Sequence, residues 1–227
     1  MLEVVTIDGP SGSGKSTVSK LLAKKLGYQY LDTGAMYRAF ALLVIKHGFE
    51  NEKIKYLPLL TDFEINFIND SEGSQKVICN GMDVTDEIRL PNVSMWASTI
   101  SKEKEVREKM GCLQREIGAR GKIVAEGRDM GTVVFNDAFA KFFLFASTEV
   151  RAQRRWKELK LKGIEISFEE VLRDTIKRDE QDSARDLAPL RPAEDAMLID
   201  SSYMTIDEVV NKMYEIVQER RMQWKFM

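Results

Sequence analysis

The sequence predicts an α/β fold, a doubly wound parallel sheet, and three observations carry that prediction. Short β-branched runs alternate with amphipathic helical stretches along most of the chain, the order that places crossover helices between parallel strands. The first run, Val4-Val5-Thr6-Ile7-Asp8, feeds directly into a glycine-rich loop and then a helix. One stretch, about residues 61–90, changes to a period of two, so a small antiparallel β insertion is expected within the parallel frame.

Each element has a local reason. After the glycine-rich loop, Val18, Leu21, Leu22 and Leu26 recur at helical spacing and Gly27 ends the turn. Tyr28-Gln29-Tyr30-Leu31 reads as a second short strand, followed by Asp32-Thr33-Gly34 and a helix carrying Tyr37, Phe40, Ala41, Val44 and Ile45. His47 closes that helix just before Gly48, where an imidazole suits a helix C-terminus. Within the insertion Phe63, Ile65 and Phe67 alternate, residues 69–73 are rich in turn formers, and Asn80-Gly81 after Val77-Ile78-Cys79 signals a tight hairpin. Val106, Met110, Leu113 and Ile117 restore a helical face with Gly118 beyond it, and Lys122-Ile123-Val124-Ala125 returns to strand. Lys141-Phe142-Phe143-Leu144-Phe145 is a buried-type strand and Met197-Leu198-Ile199 a last short one; Ser167 with Glu170, and Thr205 with Glu208, cap the helices that follow them.

The 227 residues, 44% apolar, suffice for one substantial core with small excursions. A formal net charge of −2 leaves no global footprint for nucleic acid, so no polynucleotide partner is expected and any cation cluster serves a local purpose. The first core strand starts within a few residues of Met1 and no apolar run reaches membrane-spanning length. Neither a secretory leader nor a membrane partner is expected, and the protein reads as cytoplasmic. Cys79 and Cys112 lie far apart without C-x-x-C spacing, which predicts reduced thiols and no disulfide or zinc site. With one histidine, Ser-His-Asp hydrolysis and histidine-rich metal chemistry are excluded. Lysine, arginine, carboxylates and backbone amides remain, the inventory of phosphoryl transfer. No coiled-coil heptad is present, and a monomer is the expected state.

The loop Gly9-Pro10-Ser11-Gly12-Ser13-Gly14-Lys15-Ser16-Thr17 has the spacing G-x4-G-K-S between a strand and an amphipathic helix, a P-loop in its required context. Its glycines let successive N–H groups turn inward, the helix start adds positive dipole, and Lys15 reaches the outer phosphates of a nucleoside triphosphate. Ser16 is the candidate Mg²⁺ ligand. Asp32 and Asp200 each close a short apolar run and are candidates for a second, carboxylate partner of the metal.

Bringing a polyanionic donor to an anionic acceptor requires cations around both. Arg128 and Asp129 lie between two glycines just past the carboxyl end of a strand, where ligands bind in open α/β sheets. Arg38 follows the Asp32-Thr33-Gly34 turn, Arg107 sits on a mid-chain helix, and Arg178 and Arg185 flank Asp182. Arg151, Arg154 and Arg155 share a helical face in the basic stretch 151–162. That stretch and the alternating-charge segment 178–185 are weak in apolar residues, so neither is expected to bury itself well, and together they suit a mobile lid. The guanine-reading loop of a regulatory GTPase is missing; Asn211-Lys212-Met213-Tyr214 fails at its fourth position.

Four segments together resemble the bacterial cytidylate kinases, within the P-loop nucleoside monophosphate kinases. They are Asp8 with the P-loop, Leu31-Asp32-Thr33-Gly34-Ala35-Met36-Tyr37-Arg38, Gly127-Arg128-Asp129-Met130-Gly131-Thr132-Val133-Val134-Phe135, and Ala188-Pro189-Leu190. The resemblance covers nearly the full length. It implies one kinase domain with a monophosphate-binding region at about 33–107, the β insertion inside it, and a lid at about 151–185. It further implies ATP as donor with Mg²⁺, and CMP, with dCMP, as acceptor. Thr33 and Arg38 would meet the acceptor, with Arg38, Arg128 and Arg185 around its phosphate. Ser98, Arg107 and Asp129 would face the cytosine, and Arg178 and Asp182 the ribose. Lys15 and the lid arginines Arg151, Arg154 and Arg155 would stabilise the transferred group. Thr33 stands where some members have serine, which keeps the hydroxyl. The chemistry of the base agrees: cytosine offers an amino donor and ring acceptors, and uracil in the same pocket leaves an unpaired group at a cost of about 1–3 kcal/mol. Two other readings stay open at this stage, a kinase for UMP or AMP and a P-loop switch without catalysis.

Overall fold

The structure, a computed structural model, describes residues 3–69 and 75–225. The chain forms two compact units, Met1–Leu31 with Arg115–Met227, and Asp32–Gln114. The elements run in the order β1 (Val4–Asp8), α1 (Lys15–Leu26), β2 (Gln29–Asp32), α2 (Thr33–Lys46), α3 (Lys53–Tyr56), β3 (Ile65–Asn69), β4 (Gln75–Cys79), β5 (Met82–Asp83), α4 (Pro91–Ile100), α5 (Lys104–Gly118), β6 (Ile123–Gly127), β7 (Ala140–Phe145), α6 (Thr148–Leu161), α7 (Phe168–Ser183), β8 (Met197–Asp200) and α8 (Ile206–Lys225).

The first unit is built on a mostly parallel five-stranded sheet in the order β2-β6-β1-β7-β8. β1 runs parallel to β6 on one side and to β7 on the other, and β7 is parallel to β8. Every residue of β1 and β6 is buried, as central parallel strands require, whereas β8 at the edge buries only Ile199. Val18 and Leu22 of α1 and Val209, Val210, Met213 and Val217 of α8 cluster with Val5, Ile7, Val124, Phe142 and Leu144. Their spacing of three and four residues is what puts them on one helix face. Full burial of a side chain such as Leu22 contributes about 2–3 kcal/mol. Gly27, at φ 69°, ends α1 by donating its N–H to carbonyls of the last turn. The cap before α8 forms as expected: the Thr205 N–H donates to Glu208 at 2.7 Å and the Glu208 N–H to the Thr205 hydroxyl at 3.3 Å. Arg220 of α8 donates to the Phe139 carbonyl at 2.9 Å, so this part of the C-terminal segment packs on the unit.

In the second unit α2 carries a fully buried face that includes Met36, Phe40 and Val44. Phe63 meets Phe40 edge to face at 5.4 Å, a pairing favoured by the ring quadrupoles. His47 Nδ1 bonds the Leu43 carbonyl at 2.8 Å in the C-cap position, which gives the histidine the structural role expected. The antiparallel insertion is the three-stranded sheet β3-β4-β5, with Ile65 opposite Cys79 and Phe67 opposite Val77. Asn80 (φ 46°) and Gly81 (φ 79°) form the left-handed pair of a tight hairpin. Of the other expected turn, at 69–73, residues 70–73 lie outside the described residues. Two helices were not anticipated: the single turn α3, and α4, with Pro91 at its start and Val93, Ala97 and Ile100 buried at helical spacing. Cys79 is buried and Cys112 exposed, and burial pushes the Cys79 thiol up to about 11.

Candidate active site

The P-loop begins where β1 leaves the sheet. A Cβ on Gly9 would lie 2.0 Å from the Leu144 carbonyl oxygen of β7, so no side chain fits where the loop crosses that strand. Gly14 precedes α1 in a left-handed conformation (φ 93°) and offers no side-chain cap, which leaves the first N–H groups of α1 without a capping side chain. Lys15 is buried and folds back over the loop, its ammonium donating to the Pro10 carbonyl at 2.6 Å and to Ser13 Oγ at 3.5 Å. Burial and the neighbouring Arg128 guanidinium push its pKa well below the ordinary value, against the opposing pull of Glu126 and Asp8. A cation buried in this way is suited to an anionic partner.

The carboxylate beside the metal candidate is neither of those anticipated. Ser16 donates its hydroxyl to Glu126 Oε2 at 3.0 Å, and the Tyr30 hydroxyl donates to Glu126 Oε1. Glu126 is buried at the end of β6. Asp32 is occupied otherwise, accepting the Ala35 N–H at 2.8 Å as N-cap of α2 and pairing with Arg38 at 2.9 Å. Asp200 accepts the N–H and hydroxyl of Ser202. Among the described residues no group of three or more histidine, cysteine or acidic side chains is placed to hold a metal. One hydroxyl and one carboxylate beside a phosphate-binding loop fit Mg²⁺, which keeps water and phosphate oxygens in most of its coordination sphere. The signal in the sequence was an acid closing the fully apolar run Ile123-Val124-Ala125.

Parallel pairing of β1 with β6 sets Asp8 opposite Gly127, so the P-loop and the Arg128-Asp129 segment leave the sheet side by side. That position is the carboxyl end of neighbouring strands, as expected for a ligand site. The Asp8 carboxylate accepts the N–H groups of Met130 (2.9 Å) and Gly131 (2.7 Å), the start of a single π-helical turn over Met130–Val134. Arg128 Nε donates to Asp182 Oδ2 at 2.9 Å, and Arg185 donates to Asp182 Oδ1 at 2.5 Å. Asp182 is 2% exposed; burial raises its pKa, and the charges of Arg128, Arg185 and Arg178 outweigh this and hold it below the usual carboxylate range. The structure therefore gathers Arg128, Arg178, Asp182 and Arg185 into one charged cluster.

Burial pushes Asp8 up to about 6, with the Met130 and Gly131 N–H groups and Lys15 opposing and the Asp129 carboxylate reinforcing. A carboxyl raised in the folded state gives stability that is present below its unfolded pKa, near 4, and lost as pH rises through about 6. Relative to Asp8→Asn, the wild-type protein is expected to lose about 2–2.5 kcal/mol of unfolding free energy between pH 4 and pH 7. Urea denaturation of both proteins across that range measures it, and parallel pH profiles would contradict it.

The basic helices depart from expectation. Sparse apolar residues still make a small core: Ala152, Leu159 and Val171 are buried, with Trp156, Ile166, Phe168 and Leu172 against them. A two-helix hairpin needs only one apolar residue per turn on each facing side, and aromatic ones supply large area. Ser167 and Glu170 form the expected capping box. Arg151 is buried, paired through both terminal nitrogens with Asp179 at 3.0 and 2.6 Å, and also donates to the Ser11 carbonyl at 3.2 Å. Arg154 donates to the carbonyls of Ser201 at 2.7 Å and Ser13 at 3.4 Å. Arg155 pairs with exposed Glu158 at 2.8 Å. Arg151 and Arg154 of α6 thus touch the P-loop backbone, and Arg155 lies on the outer face of that helix.

The second unit, taken by itself, holds the other expected positions. Thr33 is buried at the first position of α2, and Arg38 is oriented by its ion pair with Asp32. Arg107 on α5 donates to the Ser101 carbonyl at 3.2 Å, while Ser101 donates to the Ser98 carbonyl at 2.9 Å, linking the end of α4 to the arginine. The Arg107 guanidinium also lies 6.0 Å from the centre of the Tyr37 ring.

A family model described as Cytidylate kinase matches residues 5–219. The cytidylate kinase of Caldicellulosiruptor saccharolyticus is 50% identical over 215 residues, 93% of this chain and 94% of that relative. That of Geobacter sulfurreducens is 50% identical over 218 residues, 96% of this chain and 93% of that relative. A solved structure of an uncharacterized protein from Eubacterium ventriosum is similar in fold alone, with a TM-score of 0.51 and 11% identity over 95% of this chain and 98% of that one. The P-loop, the turn that carries Arg128 and Asp129 and the arginines around Asp182 all fall within the matched span, and the chain belongs to the cytidylate kinase family.

Proposed function

We propose that the protein transfers the γ-phosphoryl group of ATP to CMP, and to dCMP, as a cytoplasmic monomer. The observation that carries this reading is the side-by-side exit of the P-loop and the Arg128-Asp129 segment from paired strands, which sets a triphosphate cradle beside a cation cluster suited to a monophosphate. Gly9, Pro10, Ser11, Gly12, Ser13, Gly14 and Thr17 contribute the loop that wraps the ATP phosphates. Lys15 places its ammonium on the outer phosphates and is a catalytic residue in this reading, with Arg128, Arg151, Arg154 and Arg155. Ser16, with Glu126 behind it, would hold Mg²⁺, which would supply positive charge to offset that of the transferred group.

On the acceptor side, Arg128 and Arg185 bind the monophosphate, Arg178 and Asp182 meet the ribose, and Asp129 accepts a hydrogen bond from the cytosine amino group. In the second unit, Thr33 and Arg38 meet the acceptor near its phosphate, and Ser98 and Arg107 face the base. No general base is required. The acceptor phosphate is already anionic at neutral pH, and it attacks in line once arginines screen the repulsion between the two anions. Arg151 and Arg154, held against the P-loop carbonyls by Asp179 and Ser201, bring the lid helices over the phosphates and exclude water that would otherwise take the phosphoryl group.

An acceptor panel with purified protein tests the reading. CMP and dCMP are expected to turn over roughly 5- to 150-fold more efficiently than UMP or AMP, since the wrong base leaves a buried partner unpaired at about 1–3 kcal/mol. Faster turnover of AMP or UMP would assign the protein to another acceptor. Rapid ATP hydrolysis without any acceptor would favour a nucleotide switch.

A further inference from the structure

The peptide that joins Ser13 to Gly14 sits at a point where the backbone is free to turn. A peptide plane rotates by opposite changes in ψ of one residue and φ of the next, and Gly14, at φ 93°, has no Cβ to resist that rotation. The structure holds it from a distant part of the chain. Ser201, immediately after β8, is 4% exposed and lies where the ends of β7 and β8 meet the P-loop. Its N–H donates to the Phe145 carbonyl at 2.7 Å, and its Oγ lies 3.0 Å from the Ser13 carbonyl and 3.1 Å from that of Phe145. Arg154 of α6 grips the same residue. Its Nη2 donates to the Ser201 carbonyl at 2.7 Å, and its Nη1 reaches Ser201 Oγ at 3.2 Å and the Ser13 carbonyl at 3.4 Å.

A hydroxyl has a single proton to donate, and a guanidinium can only donate. Toward Arg154 the Ser201 oxygen is therefore the acceptor, which leaves its proton for a carbonyl. The Phe145 carbonyl already receives the Ser201 N–H and the Ser13 carbonyl is the nearer of the two, so the proton goes to Ser13. The backbone of Ser201 alone, through Phe145 and Arg154, suffices to fix the end of β8; what the side chain adds is the tie to the P-loop. The Ser13–Gly14 peptide is trans, and a trans peptide points its C=O and the following N–H to opposite sides. With the Ser13 carbonyl drawn to Ser201, the Gly14 N–H faces away from it, at the head of the N–H groups that open α1.

We propose that Ser201 is a positioning residue for the phosphoryl donor: its hydroxyl, oriented by Arg154, holds the Ser13 carbonyl outward and so keeps the Gly14 N–H turned toward the ATP phosphates. The proposal rests on the reading of the P-loop as the cradle of those phosphates. Ser201 touches neither substrate in it and acts through the Ser13–Gly14 peptide.

Steady-state kinetics of Ser201→Ala and Ser201→Thr test the proposal, with thermal melts to confirm folding and inorganic tripolyphosphate as an inhibitor that carries the phosphates without the nucleoside. Ser201→Ala is expected to raise KM for ATP about three- to tenfold while KM for CMP stays within about twofold, the range set by the net worth of one neutral hydrogen bond. The inhibition constant of tripolyphosphate is expected to rise by the same factor as KM for ATP. Ser201→Thr, which keeps the hydroxyl, is expected to restore the wild-type values. Equal increases in both KM values, an unchanged KM for ATP, or weaker ATP binding beside unchanged tripolyphosphate inhibition would overturn the proposal. A threonine variant that melts like the wild type yet is as impaired as Ser201→Ala would overturn it too. Tripolyphosphate that does not compete with ATP on the wild-type enzyme overturns the reading of the loop, and the proposal with it. Should Ser201→Ala fail to fold, Ser201→Cys, close in size and a weaker donor, takes its place with the same expected split between the two KM values.

Discussion

Lys15→Met is expected to reduce kcat by about 10²–10³, the range found when one preorganised donor to a developing oxyanion is removed, and at the same time to leave the free protein as stable as before or more so. The two halves of this result come from one geometry. In the absence of phosphates the ammonium is buried, held by the Pro10 carbonyl at 2.6 Å and pushed toward its neutral form by burial and by Arg128. A buried cation so placed contributes little to folding, and an apolar stem of similar length relieves its desolvation. In the proposed reaction the same cation would meet the charge of the phosphate chain. Saturating kinetics and a melting curve of the variant check both halves; a loss of less than about tenfold in kcat, or a clear loss of stability, would show that Lys15 serves the fold rather than the transfer.

What could be read from sequence was whatever a short window contains. The strand Val4–Asp8, the glycine spacing of the P-loop, the capping boxes at Ser167 and Thr205 and the Asn80-Gly81 hairpin are all decided by neighbours within a few residues, and each formed where expected. The α4 helix was within reach too, since Pro91 and the buried spacing of Val93, Ala97 and Ile100 are local signals. The site escaped this kind of reading at the points where partners are far apart. Glu126 lies 110 residues from Ser16, and only the parallel register of β1 and β6 makes it, rather than Asp32 or Asp200, the carboxylate beside the metal candidate. Asp32 looked suitable because it closes an apolar run, but its position one residue before α2 committed it to a cap. The basic helices were underestimated for a different reason. Their apolar residues are few, and Trp156 and Phe168, whose rings meet edge to face, bring more burial than a count of residues suggests.

The charged cluster around Asp182 yields the largest expected effect on stability. Asp182→Ala removes a carboxylate that accepts from both Arg128 and Arg185, at 2.9 and 2.5 Å, and takes negative charge out of a position only 2% exposed among these cations. Breaking a buried pair from one side costs about 3–5 kcal/mol, because the remaining charge keeps its desolvation penalty without its partner. For a chain of this length each kcal/mol moves the melting temperature by roughly 2–4 °C, so a fall on the order of 10 °C is expected. Asp182→Asn, which can still accept hydrogen bonds but carries no charge, should lie between the variant and the wild type. Inorganic phosphate supplies a further check: an anion that enters the cluster compensates the exposed guanidinium charge, so it is expected to raise the melting temperature of Asp182→Ala more than that of the wild type. A loss below about 1 kcal/mol, or equal phosphate stabilisation of both proteins, would mean that the arginines find solvent without Asp182. In that case the ion pairs are consequences of crowding, and the cluster cannot be what prepares Arg128 and Arg185 for an incoming monophosphate.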